Sequence, residues 1–198
     1  MGSSFSRAFA LFFLALSLYA SQNFVLKNEN ILPPKTVQKI NEIGNELAQK
    51  TGVKVYLAAV KKMPTKKIVD FEKQIAKNLQ PPFVLLTIAV EDKKVDIYHS
   101  SDTAGLFDKE EILSPLPWKG SIIPLLTSHS KDPHAAVEAA LLNGYAEIAE
   151  QIADAKGVTL KSAIGNTNRN IYYWLRILFY SIIALIFINV IYRRVIKK

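Results

Sequence analysis

Behind Pro33 and Pro34, Val37, Ile40, Ile43, Leu47 and Ala48 recur at three-to-four spacing, with Glu42, Glu46, Gln49 and Lys50 on the other side. This periodicity predicts an amphipathic helix ending at Gly52. Gly44 falls on the apolar stripe, where a missing side chain lets the helix approach a sheet closely at a propensity cost of about 1 kcal/mol. Val53 to Val60 predicts a strand whose second half, Leu57 to Val60, is apolar on both faces, as in a strand covered from both sides. A second helix is expected from Pro64-Thr65, with Thr65 as N-cap and Ile68, Phe71, Ile75 and Leu79 as its buried stripe, stopped by Pro81-Pro82.

Phe83 to Val90 is too short to span a membrane and too rich in Val, Ile and Phe for a loop, which makes it the central buried strand. After a turn at Glu91-Asp92-Lys93-Lys94, Val95, Ile97 and His99 alternate with Asp96, Tyr98 and Ser100, the pattern of a half-exposed strand returning antiparallel. Ser101 to Leu126, with Pro115, Pro117 and Pro124, reads as loops holding one or two short helices. Asp132-Pro133 starts a last helix with Val137, Leu141, Gly144, Ile148 and Ile152 on its buried face and Gly157 just past its end. The order helix, strand, helix, strand, strand, helix predicts an α/β domain, a three-layer α/β/α sandwich around a small mixed sheet.

Both ends of the chain are apolar in a different way. Tyr172 to Tyr192 is a nearly unbroken apolar run closing on Arg193, Arg194, Lys197 and Lys198. As a helix its twenty-one residues span roughly 31 Å, enough to cross a hydrocarbon core, and the four cations place that end in the cytoplasm. Near the start, Ala8 to Leu18 follows Arg7 and runs into Leu18-Tyr19-Ala20, which suits a signal-peptide core cleaved after Ala20. Leu18 is larger than the small residue preferred there, so retention as a second, short anchor stays open. Residues 1–6 also fit the N-myristoylation pattern, although the apolar core behind them is better explained by export. The expected segments are a signal peptide (1–20), an exported domain (21–156), a polar linker (157–170), a transmembrane helix (171–192) and a basic tail (193–198). Fourteen flexible linker residues reach about 20 Å root-mean-square, which keeps the domain near the membrane surface.

Charge changes the picture little. The formal net charge is +8, but between Ser21 and Ile171 it falls to +2; the rest is Arg7, Arg176 and the tail. The basicity is therefore topological, and with no basic block interleaved with aromatics it gives no ground for a nucleic-acid partner. Cys is absent, which excludes disulfides, thiolate nucleophiles and a lipoprotein anchor.

Phe83 to Ser101 carries a resemblance. An aliphatic strand running into a short Asp-Arg/Lys-Lys turn and a second strand is similar to the TPM-domain family, and here it reads Phe83 to Val90, then Glu91-Asp92-Lys93-Lys94, then Val95-Asp96-Ile97-Tyr98. Lys131-Asp132 followed by Ala135-Ala136 resembles the Gly-Asp-x-x-x-Ala start of that family's last helix. The likeness covers about Ile31 to Ala155 and implies helices around a central sheet, so the exported domain is expected to be TPM-like. It implies several functions: photosystem II repair, a lumenal acid phosphatase, an auxiliary subunit of an acetylcholine receptor. The chain departs from the family at two loops. Gln80-Pro81-Pro82 replaces a longer loop ending in Asp-Asn-Gly, and Ser100 to Gly105 replaces a Gly-x-Gly turn, with Gly105 as its remnant. Metal binding or phosphatase chemistry that depends on those loops would be lost with them.

Candidate chemistry is sparse. Asp92, Asp96, Asp102, Asp108, Glu110 and Glu111 gather around the hairpin; of these Asp92, Asp102, Asp108 and Glu111 are the candidates for holding Ca²⁺, against the plainer reading of turn and cap carboxylates. His129, Asp132 and His134 are a weaker zinc-type grouping, with Asp132 expected as a cap. Ser128 beside His129 lacks a nucleophile elbow, and His99 reads as a partly buried structural histidine. Trp118, between Pro117 and Lys119-Gly120, is a partner-binding candidate, the alternative being that it covers the sheet edge or core. Arg176, one turn inside an aromatic belt of Tyr172, Tyr173 and Trp174, either snorkels to headgroups or pairs with a partner helix. No catalytic residue and no cofactor is assigned. The expected function is a membrane-tethered periplasmic module that docks on or helps assemble and maintain an integral membrane complex, in a bacterial inner membrane with the C-terminus cytoplasmic. The alternative is a metal-dependent phosphatase or hydrolase of the TPM type, a phosphomonoesterase.

Overall fold

The computed structural model describes residues 22–128, 130–164 and 177–188. Strand β1 (Val25–Asn28) leads to helix α1 (Pro34–Thr51), strand β2 (Lys54–Val60), helix α2 (Ile68–Ala76) and the hairpin of β3 (Phe83–Ala89) and β4 (Lys94–His99). A 3₁₀ turn (Ser101–Thr103), two short helices, α3 (Lys109–Ile112) and α4 (Ile123–Leu126), and the long α5 (Pro133–Ala155) complete the head. The sheet order is β1-β2-β3-β4, with the first two pairings parallel and the last antiparallel. This is an α/β fold, a four-stranded mixed sheet packed by helices.

The expected elements form for the expected reasons. Pro34 stands at the first turn of α1, and Gly52, at φ 74°, ends it with an N–H donated to the Ala48 carbonyl. Asp132 caps α5, its carboxylate accepting from the N–H groups of His134 and Ala135 at 2.9 and 3.1 Å. Every residue of β3 is buried, as a strand covered on both faces requires. Adjacent β3 residues point to opposite faces, and the two faces meet different helices: Leu86 lies against Gly144 of α5, while Thr87 faces Glu72 of α2.

Two features differ from the sequence reading. Strand β1 was not expected; Phe24 beside it is fully buried, and the Phe24 carbonyl accepts from Leu57 N–H at 2.8 Å. Helix α2 begins at Ile68 rather than at Pro64-Thr65, because the Thr65 hydroxyl donates to the Lys67 carbonyl in the preceding turn instead of capping the helix. Its end at Ala76 also leaves Leu79 outside, half-buried against the core.

Helices α1 and α5 approach each other closely in the core. A Cβ on Gly44 would stand 2.4 Å from the Tyr145 hydroxyl and 2.6 Å from the Phe24 ring, so glycine is required by the space. Tyr145 is fully buried and its hydroxyl donates to the Val55 carbonyl at 2.7 Å, tying α5 to β2. Glu138 of α5 accepts a hydrogen bond from Thr36 of α1 at the other end of the same contact.

Residues 177–188 form a separate helical stretch with outward apolar side chains such as Leu178, Phe179, Leu185 and Phe187; the Ser181 hydroxyl is satisfied by the Ile177 carbonyl one turn back. Among the described residues no helix is long and apolar enough to cross a membrane. The expected signal peptide (1–20), residues 171–176 and 189–192 of the expected transmembrane helix, and the tail lie outside the described residues.

Gly44→Ala should destabilise the head by about 1–3 kcal/mol through overpacking. Tyr145→Phe should cost about 1 kcal/mol through the lost buried hydrogen bond. The double variant should cost less than the sum, since the hydroxyl no longer opposes the new methyl; urea unfolding of the four proteins reads the coupling directly.

Candidate functional site

Helix α2 buries a carboxyl group where its periodicity calls for an apolar side chain. Glu72 lies four residues after Ile68 and three before Ile75, on the buried stripe, and is fully buried. Its carboxyl oxygens face the hydroxyl of Thr87 on β3, also fully buried, without closing a hydrogen bond of ordinary geometry. Asp96, paired across the hairpin with Thr87, completes the group, and Lys109 of α3 reaches Asp96 at 2.5 Å. Burial pushes the Glu72 carboxyl up to about 8, helped by the negative charge of Asp96 and opposed by Thr87 and the Lys109 ammonium. Glu72 is therefore a neutral acid at neutral pH. With no surface open to solvent, it is a buried proton store and not an acid or base presented to a substrate.

The four Ca²⁺ candidates are not brought together. Asp92 sits in the β3–β4 turn and accepts from Met63 N–H at 2.8 Å, bracing the loop after β2. Asp102 is exposed in the 3₁₀ turn at the other end of β4, a strand of six residues that spans roughly 20 Å. Asp108 caps α3, accepting from Glu111 N–H at 2.9 Å, and its own N–H donates to the Gln151 side chain at 2.7 Å. Glu111 is half-buried on that short helix. Among the described residues no group of three or more His, Cys, Asp or Glu is placed to hold a metal ion.

The remaining candidates separate as clearly. His134 is exposed in the first turn of α5, and His129 lies outside the described residues. The Ser128 hydroxyl donates to the Leu125 carbonyl at 2.8 Å. His99 is half-buried, with Nδ1 2.9 Å from the Ser100 carbonyl and its ring edge-on to Phe107, a structural histidine as expected. Trp118 covers neither the sheet edge nor the core; it is 65% exposed. Arg176, Arg193, Arg194, Lys197 and Lys198 lie outside the described residues.

A second polar arrangement was missed in the sequence. Glu46 on α1 accepts from the N–H groups of Lys161 and Ser162 at 2.8 and 2.7 Å, from the Ser162 hydroxyl, and from Lys50 at 2.7 Å. The Lys50 ammonium also donates to the Thr159 carbonyl at 2.6 Å. Partial burial works to raise the Glu46 carboxyl, but these donors hold it down at about 2. The first residues of the expected linker are thus held on α1, with Leu160 and Ser162 buried. The only sequence signal was the (i, i+4) pair of Glu46 and Lys50, which reads as an ordinary helix-surface ion pair.

The class defined by this geometry is an α/β domain whose conspicuous acids brace turns, cap helices or are buried. Residues 25–114 match the family profile of the TPM domain, so the chain carries a TPM domain over β1 to α3. A similar solved structure is the NMR structure of BA42 protein from the psychrophilic bacterium Bizionia argentinensis, 17% identical, covering 70% of this chain and 97% of that one with a TM-score of 0.46. No curated protein matches the chain.

Because the folded Glu72 carboxyl holds its proton up to about pH 8 and an unfolded one releases it near 4.5, this group's contribution to stability is whole below pH 4.5. It is lost as pH rises through about 8, on the order of a few kcal/mol. Glu72→Gln should remove that slope, leaving the variant more stable than the parent at pH 9 and close to it at pH 4.5, as chemical denaturation across pH would show. Glu46→Ala should release residues 158–163 from α1, seen as faster amide hydrogen exchange confined to that segment with the Tyr145 region unchanged.

Proposed function

We propose that the chain is a single-pass membrane protein whose three-layer α/β/α head acts as a non-catalytic interaction module, docking on an integral membrane complex and assisting its assembly or maintenance from the periplasmic side of a bacterial inner membrane. The apolar run from Tyr172 to Tyr192, closed by Arg193, Arg194, Lys197 and Lys198, carries this reading: its length suits one crossing and its cations suit a cytoplasmic exit. The use of Asp92, Asp108 and Asp132 as braces and caps supports a binding role over a catalytic one. Arg176 would snorkel to the headgroups or pair with the partner's helix. The second reading, a phosphomonoesterase, is favoured by the family match over residues 25–114.

Two measurements separate these readings. Full-length protein recovered in mild detergent should bring down a stable integral membrane partner, identified by mass spectrometry, and a reporter fused after Lys198 should be active only if it works in the cytoplasm. Turnover of a generic phosphomonoester by the same full-length protein, with no partner recovered, would reverse the order.

A further inference from the structure

We propose that the loop carrying Leu116 and Trp118 is a lipid-contacting tip that rests in the headgroup region of the bilayer; this rests on the single-pass reading above. The loop is built to show apolar side chains to the outside. Among the described residues between 22 and 163, four large apolar side chains are exposed, Leu26, Val69, Leu116 and Trp118, and two of them stand here two residues apart. Pro115, Pro117 and Lys119 beside them are exposed as well.

Their exposure is not the slack of a loose loop. The N–H groups of Lys119 and Gly120 both donate to the Leu116 carbonyl, at 2.9 and 2.8 Å, and Ser121 N–H donates to the Ile112 carbonyl at 3.1 Å, closing the neck. Gly120 is pressed on the Ser114 backbone so closely that a Cβ would stand 1.7 Å from the Ser114 carbonyl oxygen. A strapped turn therefore holds Leu116 and Trp118 out in water, a placement that favours burial against something else.

Two observations point to lipid as that something. An aromatic with a polar ring N–H, an aliphatic neighbour and an adjacent ammonium are the residue chemistry of the membrane interface, where Trp sits at headgroup depth and Lys meets lipid phosphates. The chain also keeps the head close: eight residues separate Ala163, the last of the compact unit, from Tyr172, at most roughly 30 Å when fully extended.

The chain has two tryptophans, Trp118 and Trp174, so single-tryptophan variants read the loop and the anchor separately. Full-length W174F and W118F would be reconstituted in vesicles of phosphatidylethanolamine and phosphatidylglycerol, with and without phospholipid brominated in the upper part of its chains. Emission should fall by roughly twofold or more in brominated vesicles for both variants, Trp118 in W174F and Trp174 in W118F, as expected of rings at interface depth. Adding Leu116→Asp to W174F should restore most of the Trp118 emission. Quenching of Trp174 with none of Trp118, and Trp118 open to aqueous acrylamide, overturns the proposal and leaves the anchor standing. Trp118 closed to acrylamide yet unquenched by bromine means that a second copy covers the loop, and also overturns it. Absence of quenching in both variants removes the anchor reading and the proposal together.

Discussion

Helices α1 and α5 lie against each other because Gly44 offers no side chain to Tyr145, and the tyrosine hydroxyl that fills the gap is held by the Val55 carbonyl on β2. One small residue, one large one and one buried hydrogen bond thus join two helices and a strand. Phe24 shares that contact, so the edge strand β1 is positioned by it too. Gly144 repeats the device one residue earlier on α5, where Ile122 and Leu86 occupy the space that a side chain would take. The family match ends at residue 114, yet α5, outside it, supplies Leu141, Tyr145, Ile148 and Ile152 to the core. The segment that shows kinship is therefore smaller than the unit that buries a core, and cutting the chain at residue 114 would leave the sheet face under α5 bare.

Where apolar periodicity and stop signals coincide, the sequence was legible. Helices α1 and α5 carry an unbroken stripe, a proline at the first turn and a glycine just beyond the end, and both appear where read. Strand β3 is apolar throughout because both its faces are covered. Strand β1 was invisible for the opposite reason: it has four residues, only Val25 of them buried, and no alternation to mark a face. The start of α2 was misread because a threonine hydroxyl can serve a turn as readily as a helix, and local sequence does not choose between the two.

The candidate acids illustrate a second limit. Asp92 and Asp102 are ten apart in the chain and look like neighbours, but an extended strand between them turns sequence proximity into separation. Glu72 is the converse case. Its position on a helical stripe marked it as buried, while its charge marked it as exposed, and position prevailed because the proton it retains removes the charge. Thr87, a lone hydroxyl within a strand otherwise apolar, was the matching signal on the sheet side.

The Glu46 clasp gives the head a mechanical property. Whatever force reaches the domain through its C-terminal segment meets the Lys161, Ser162 and Thr159 hydrogen bonds before it meets α5 or the sheet. Because those bonds lie outside the packed core, a pull from that side would be absorbed at the doorstep of the fold while Tyr145 and its surroundings keep their packing.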